Sequence, residues 1–365
     1  IGREMVNQLS NKSKWVLLST LLVFLLLLPF LAGYFGNAWI RILAFSLLYI
    51  MLALGLNIVV GYAGLLDLGY VAFYAVGAYF YALLTSPHLH DQFTFISQMF
   101  PIGFGLGSIT IVIMAAFVAA LFGIMLGFPI LKLRGDYLAI VTLGFGEIIR
   151  IFLNNLNSPI NLTNGPQGIG GIEPLTIMGN ELSNSISLSL IDIPSVQLHY
   201  YLFFLFALLI VIISFRLENS RIGRAWLAIR EDEIAAKSMG INTRNMKLLA
   251  FALGASFGGV SGAMFAAFQG FVSPESFVLM ESIIIVAMVV LGGLGNVYGV
   301  IVGAVLLYAI PEVLRLVARP IQDAIFGFEL IAPEALRMLL FGTSMVLIML
   351  YRPQGIFPRI PRRNG

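Results

Sequence analysis

The sequence contains no cysteine, and this absence excludes disulfides, thiol chemistry and metal sites built on thiolate ligands. Only three histidines occur among 365 residues, which leaves little room for a metal held by imidazole groups. Charge is also scarce, because charged residues form 11% of the chain, against about 25% in soluble proteins. With 59% hydrophobic residues, the sequence predicts a membrane protein. The small net charge of +3 gives no indication of nucleic-acid binding.

Motifs of the common enzyme classes are missing as well. The chain has no G-x-x-x-x-G-K-S/T loop, and therefore no such ATPase site of its own. H-E-x-x-H and G-x-S-x-G are also absent. A carrier driven by protons or sodium usually buries a relay of acids and histidines, of which this sequence has few. We therefore expect no enzyme activity and no cofactor, and an ion-coupled secondary carrier stays only as an alternative.

Long apolar segments with little charge determine the predicted architecture. A helix of roughly 20 residues crosses a bilayer, and helices are required because backbone groups in lipid must be hydrogen-bonded within the segment. The sequence predicts an all-α polytopic membrane bundle, a single domain over residues 1–365. About ten spans are expected on this length criterion. They lie at residues 15–35 (expected to be retained rather than cleaved as a signal peptide), 39–60, 62–84, 101–130, 137–155, 199–216, 247–270, 277–293, 297–312 and 334–351.

Lysine and arginine are distributed unevenly between the connecting segments. Residues 85–98, 157–198 and 271–282 contain neither, whereas residues 216–247 contain seven basic residues. The positive-inside rule therefore places the loop 217–246 in the cytoplasm, with both termini, and the loop 157–198 outside a bacterial inner membrane. The outer loop either receives a partner protein or simply connects two spans. Its "SISLSLIDI" alternates as a strand would.

Two glycine-rich segments differ from ordinary spans. Residues 61–84, "GYAGLLDLGYVAFYAVGAYFYALL", and 292–310, "GGLGNVYGVIVGAVLLYAI", resemble each other weakly, as after an internal duplication. Paired glycine-interrupted segments indicate a substrate pathway formed by broken or re-entrant helices. The alternative is that glycine only lets helices pack closely. Close packing is also predicted for "GASFGGVSGAMFAAF", where Gly254, Gly258 and Gly262 fall on one helical stripe.

Acidic residues inside the predicted spans are few. A charged residue at the bilayer centre costs roughly 2.5–3.5 kcal/mol on insertion scales, so each needs compensation. Asp67 either caps a broken helix or contacts a solute, and Glu147 can pair with Arg150 on the same helical face. The candidate translocation path combines these acids with nearby aromatic and small residues: Asp67, Tyr70, Phe73, Tyr74, Glu147, Gly292, Gly293 and Asn296.

The charge missing elsewhere is concentrated in "GRAWLAIREDEIAAKSMGI", residues 223–241. Trp226, Ile229, Ala236 and Met239 recur at about helical spacing, so a short amphipathic helix is predicted. Gly240 is a plausible helix end. The acidic run 231–233 would be repelled by anionic lipid, and mixed charge around an apolar stripe suits a protein partner better.

The run "EIAAKSMGI" resembles the EAA-type coupling loop of ABC importer permeases, although one residue separates the Glu from Ala-Ala and no I-x-L-P follows. With "GYAGLLDLGYVAFYAVGAYFYALL", "LKLRGDYLAIVTLGFGEIIRI", "TNGPQGIGGI" and "VVLGGLGNVYGVIVGA", the chain resembles the branched-chain amino-acid permease family, LivM type, over residues 55–310. The resemblance implies transport of leucine, isoleucine or valine. A urea or amide permease is the alternative, because the layouts are similar.

The resemblance also implies partners and a coupling site. A paralogous permease subunit, two cytoplasmic ATPases and an extracytoplasmic substrate-binding protein are expected, in contact with membrane lipid. ATP closure of the ATPase dimer would move the coupling loop and, through it, the spans. The residues expected at the ATPase contact are Arg224, Trp226, Ile229, Arg230, Glu231, Glu233, Ala235, Ala236, Met239 and Gly240.

Overall fold

In the computed structural model, residues 11–100, 104–131, 133, 135–177, 180–181, 186–188 and 191–326 are described, with runs of one to three residues between 332 and 357. Helices dominate this part of the chain. They are α1 (Asn11–Tyr34), α2 (Asn37–Leu56), α3 (Val71–Thr85), α4 (His88–Gln92), α5 (Thr94–Met99), α6 (Ser108–Ile130), α7 (Asp136–Asn155), α8 (Ser195–Asn219), α9 (Arg221–Glu231), α10 (Glu233–Ser238), α11 (Thr243–Gln269), α12 (Leu279–Gly292) and α13 (Val297–Phe326).

The membrane character of the bundle is confirmed, but the count of about ten spans is not supported. Among the described residues, six helices are long and apolar enough to cross a membrane: Asn37–Tyr62, Ser108–Ile130, Ser195–Asn219, Thr243–Gln269, Pro274–Gly292 and Val297–Val317. Leu22–Tyr34 and Val71–Thr85 are shorter apolar helices. The span predicted at 137–155 is a helix, α7, that is not among the six, and the span predicted at 334–351 lies largely outside the described residues.

Helix α11 lies at the centre of the bundle, against α6, α3 and α2. Small residues allow this packing, as the glycine stripe predicted. A Cβ on Gly262 would lie 2.1 Å from the Tyr74 carbonyl oxygen of α3, and one on Gly77 would lie 2.2 Å from the Gly259 carbonyl oxygen of α11. The two backbones therefore touch directly, which only residues without a side chain permit.

The first glycine-rich segment is a broken helix, as predicted. Helix α2 runs into a π-helical turn, Asn57–Tyr62, and the chain is then non-helical until α3 begins. The predicted span 62–84 is therefore helical only from residue 71 onward. Its free backbone groups need partners inside the bundle. The Leu68 N–H donates to Thr142 Oγ1 at 3.0 Å, and the Val71 N–H donates to Ser282 Oγ at 3.0 Å.

The second glycine-rich segment breaks between α12 and α13, at residues 293–296. The two breaks meet, because Asn57 Oδ1 accepts a hydrogen bond from the Gly295 N–H at 2.9 Å. A tail segment closes the second break: the N–H groups of Ile356 and Phe357 donate to the carbonyl oxygens of Leu291 and Gly292 at 2.8 and 3.1 Å. The paired segments of the sequence thus form one contact in the fold.

Short strands form the loop between α7 and α8. They are β1 (Ile169–Gly170), β2 (Thr176–Ile177), β3 (Asn180–Glu181), β4 (Ile186–Leu188) and β5 (Ile191–Ile193), with β6 (Phe271–Val272) after α11. The strand predicted from the alternation in 185–193 is confirmed as the antiparallel pair β4–β5. β1 pairs with β6. Two of the predicted lysine- and arginine-free loops therefore lie together at one end of the bundle.

Candidate functional site

Two short helices, α9 and α10, form the candidate coupling site, and their ends follow from the local sequence. Ser220 begins α9 by accepting a hydrogen bond from the Gly223 N–H at 3.1 Å. Asp232 separates the helices and caps α10, because its Oδ1 accepts from the N–H groups of Ile234 and Ala235 at 2.8 and 3.0 Å. Such caps contribute about 1 kcal/mol each. Gly240, at a φ of +85°, follows α10 as the predicted helix end.

One face of α9 packs into the chain itself. Trp226 is fully buried, its ring lies parallel to that of Tyr62 at 6.5 Å, and its Nε1 donates to the Met246 carbonyl oxygen at 2.7 Å. Ile229 is 5% exposed and Ala236 of α10 is 2% exposed. These three side chains therefore pack inside the chain itself. Their contact with an ATPase, which the sequence predicts, stays a prediction.

Arg230 joins α9 to the first helix break. Its Nη1 donates to the Gly61 carbonyl oxygen at 2.5 Å. A Cβ on Gly64, whose φ is +70°, would lie 2.7 Å from Arg230 Cγ, so the side chain lies across the turn. Arg230 thus contacts the broken segment that leads to Asp67 and α3, although the sequence predicted it as part of the ATPase contact.

Glu233 is held by a residue that the sequence interpretation missed. Its Oε1 accepts from Lys247 Nζ at 2.7 Å, and Lys247 is 4% exposed. The ion pair attaches α10 to the first turns of α11. A lysine at the start of an apolar span, facing a loop rich in acids, was the available signal for this pair.

The opposite face of the helix pair is exposed. Ile234 and Met239, at either end of α10, are 68% and 85% exposed. Ile234 was not predicted as a contact, because it lies inside a charged run. The other exposed members of the predicted set are Arg224, Arg230, Glu231, Ala235 and Gly240. The helix pair therefore presents apolar side chains surrounded by charge of both signs.

A narrow cleft lies beside the first break. Asp67 and Phe73 of the predicted path line it. Its other lining residues come from α6, α7, α11 and the break: Gly69, Leu126, Ile130, Thr142, Phe145 and Phe251. Asp67 is 2% exposed, and its Oδ1 accepts from the Gly69 N–H at 2.9 Å. Asp67 therefore shapes the turn before α3 but does not cap that helix, whose N-cap residue is Tyr70. Its carboxyl group lies at a cleft of mainly apolar walls.

The remaining residues of the predicted path do not line this cleft. The Tyr70 hydroxyl donates to the Gly254 carbonyl oxygen at 2.9 Å, and the Tyr74 ring packs on Phe277 at 5.1 Å. Arg150 Nε donates to Glu147 Oε1 at 3.0 Å, so the predicted pair forms.

The small residues of the path lie at the second break. A Cβ on Gly292 would lie 2.3 Å from the Gly299 carbonyl oxygen, and Gly293 has a φ of +114° that favours glycine. Asn296 accepts from the Tyr298 N–H at 3.1 Å and donates to the Phe357 carbonyl oxygen at 2.9 Å. These contacts are structural, and they keep the second break in shape.

Comparison with known proteins shows which family the sequence matches. Residues 38–349 match the family described as "Branched-chain amino acid transport system / permease component". The LivM permease protein of the high-affinity branched-chain amino acid transport system of Escherichia coli K12 is 42% identical over 374 aligned positions, which cover 98% of this chain and 79% of that protein. A probable LivM from Methanocaldococcus jannaschii is 28% identical, over 69% of this chain and 70% of that protein.

A second kind of permease is also related. The LivH permease protein of Salmonella typhimurium, from a high-affinity branched-chain amino acid transport system, is 24% identical over 85% of this chain and 91% of that protein. No solved structure matches the chain.

Proposed function

Because the chain belongs to the branched-chain amino acid transport permease family, we propose that it is the membrane subunit of an ATP-driven importer of leucine, isoleucine and valine. The observation that carries the proposal is the 42% identity to LivM over almost the whole chain. The exposed α10 adds a surface for a motor subunit. The chain itself is a permease and not an enzyme, so hydrolysis of ATP belongs to a partner.

The proposed assembly has four kinds of subunit. Curated relatives include LivM and LivH, both named as permeases of high-affinity branched-chain amino acid transport systems. We take a LivH-like chain as the second permease. Two ATPases lie against α9 and α10 in the cytoplasm, within the loop 217–246. A substrate-binding protein docks at the opposite end, on the loop 157–198 and the strand pair β1–β6. In this arrangement the chain lies in the inner membrane and both termini are on the cytoplasmic side.

In this proposal, exposed side chains of the helix pair contact the ATPase, and buried side chains attach the pair to the membrane helices. The exposed Ile234 and Met239 meet the ATPase. The buried Trp226 and the Glu233–Lys247 ion pair keep α9 and α10 rigidly attached to α11. When α9 moves, Arg230 transmits that movement to the first helix break. The path for the amino acid follows the broken segments and the cleft beside Asp67.

The test is uptake by the complete assembly. The chain is reconstituted in proteoliposomes with its sister permease, both ATPases and the binding protein. We expect radiolabelled leucine to be transported only when ATP is present on the side of the membrane where the ATPases lie. Radiolabelled urea should not be transported. Urea uptake in place of leucine would favour the urea or amide permease. Leucine uptake without ATP that collapses with the proton gradient would favour the ion-coupled carrier.

Replacement of Arg230 by alanine is expected to uncouple the transporter. The substitution removes the hydrogen bond to the Gly61 carbonyl oxygen while the α10 surface stays intact. ATPases should therefore still bind and hydrolyse ATP, whereas leucine uptake per ATP falls about tenfold, since charge-assisted bonds to the backbone contribute about 1.5–3 kcal/mol. The ratio of uptake to phosphate release measures this. Arg224→Ala, at an exposed arginine of the same helix, is the control, and an unchanged ratio in Arg230→Ala would exclude the transmission role.

A further inference from the structure

The Asp67 carboxyl group is only partly used by the fold. Its Oδ1 holds the Gly69 N–H at 2.9 Å, which shapes the turn before α3. Its Oδ2 has no hydrogen-bond partner among the described residues, and the side chain is 2% exposed. A buried carboxylate without a compensating partner is costly. The Thr142 side chain also lies beside the Asp67 carboxyl group, but among the described residues Oδ2 itself is left without a partner.

The surroundings of Asp67 define what that partner is. The cleft that it lines has walls of Phe73, Leu126, Ile130, Phe145 and Phe251. Among the described residues that line the cleft there is no lysine, arginine or histidine. The cleft has a volume of about 10 Å³, which admits only a water molecule, so a larger ligand enters when the surrounding helices separate. In such an opened cleft, a carboxylate oxygen beside apolar walls is complementary to a ligand with an ammonium group on an aliphatic body.

Hydrogen bonds connect the segment that carries Asp67 to α7, α11 and α9. The segment that carries Asp67 is fixed to α7 by the Leu68–Thr142 hydrogen bond at 3.0 Å and to α11 by the Tyr70–Gly254 hydrogen bond at 2.9 Å. At the other end of this segment, Arg230 donates a hydrogen bond to the Gly61 carbonyl oxygen. A movement of α9 therefore reaches the segment on which Asp67 lies, and can change how Oδ2 is presented.

We propose that Asp67 Oδ2 binds the α-ammonium group of the amino acid as it passes the first helix break, while the apolar walls contact its side chain. The inference rests on the proposed function and extends it, because it names the group of the substrate that this chain recognises. The ion pair forms only during passage, so the carboxylate acts in translocation and not in capture from the medium.

Asp67→Asn separates this role from the structural one. Asparagine keeps an oxygen that can accept from the Gly69 N–H, but it cannot neutralise an ammonium group. In the reconstituted assembly we expect maximal leucine uptake to fall about tenfold or more, since loss of one partner of a buried charge pair exceeds the free energy of a tenfold change. The leucine concentration for half-maximal uptake should not change, because the binding protein captures free leucine.

Asp67→Glu is the matched variant, because it keeps the charge and moves it by one methylene. It should retain more uptake than Asp67→Asn. Wild-type uptake rates in Asp67→Asn would overturn the inference and leave the proposed function intact, whereas absence of leucine uptake in the wild-type assembly would remove the proposed function itself. If Asp67→Asn does not assemble, labelling of the wild-type Asp67 by a hydrophobic carbodiimide decides. Protection by leucine during turnover is expected, and equal labelling with and without leucine would contradict the proposal.

Discussion

Gly262→Ala is expected to prevent accumulation of the folded protein, whereas Gly144→Ala should leave it unchanged. Both glycines lie in helices, so each substitution adds the same methyl group to a helical backbone. At Gly262 the added methyl would lie 2.1 Å from the Tyr74 carbonyl oxygen and 2.7 Å from the Ala78 nitrogen. At Gly144 nothing lies within 4 Å of it. Only the first methyl group forces two backbones apart.

The magnitude follows from what must move. Overpacking of a core costs about 1–3 kcal/mol when side chains can yield, and here the atoms in the way belong to the backbone of α3. We therefore expect about 3 kcal/mol or more of destabilisation on that scale. Alanine at Gly144 should instead stabilise its helix by roughly 0.5–1 kcal/mol.

The measurement is the yield and thermal unfolding of each variant, purified in detergent and followed by size-exclusion fluorescence. The expected result is a monodisperse peak for Gly144→Ala and a greatly reduced or aggregated peak for Gly262→Ala. Equal unfolding temperatures would show that α3 and α11 can separate without loss, and that the contact at Gly262 does not hold the bundle together.

The glycine stripe shows what the sequence can predict and where it stops. The four-residue spacing of Gly254, Gly258 and Gly262 predicts a close helix contact, because periodicity is a local property of one helix. It does not name the partner. The stripe faces α2 and its π-helical turn at Gly254 and faces α3 at Gly262. This arrangement depends on which distant segments pair, and no pattern within one segment encodes it.

The amphipathic loop illustrates a second limit. Its spacing predicted an apolar face, and the helix ends at Ser220, Asp232 and Gly240 follow from capping chemistry. The spacing alone does not show what this face packs on, because an apolar stripe has the same pattern whether it packs on its own chain or on a partner. Trp226 and Ile229 belong to the first kind. Ile234 belongs to the exposed side, and it was overlooked because charge surrounds it in sequence.

Among the described residues fewer spans are found than the sequence predicts, for a related reason. Hydropathy detects apolar segments but not how far each one stays helical. The segment 62–84 is apolar throughout, yet its first residues are non-helical and hydrogen-bonded to Thr142. Asn57, a polar residue within an apolar span, was the available sign that this segment contacts another polar backbone, and it does so at Gly295.

The largest functional effect is expected from Ile234→Asp combined with Met239→Asp. Both side chains are exposed, at 68% and 85%, so the permease itself should fold and unfold as before. Within the proposed ATPase contact, each new carboxylate would be buried without a partner, and such a charge costs about 3–5 kcal/mol. Binding of the ATPase subunits should therefore weaken by more than about 100-fold, and ATP-driven leucine uptake should cease.

Co-purification of the ATPases with the tagged permease measures the contact directly, and uptake measures its consequence. Ile234→Leu with Met239→Leu is the matched control, because it keeps two apolar side chains at the same places and should retain both properties. Comparison of the two double variants distinguishes loss of the apolar surface from a general sensitivity of α10 to substitution. If the doubly acidic variant still carried its ATPases and imported leucine, α10 would not be where the motor subunit acts, and the mechanical route through Arg230 would lose its starting point.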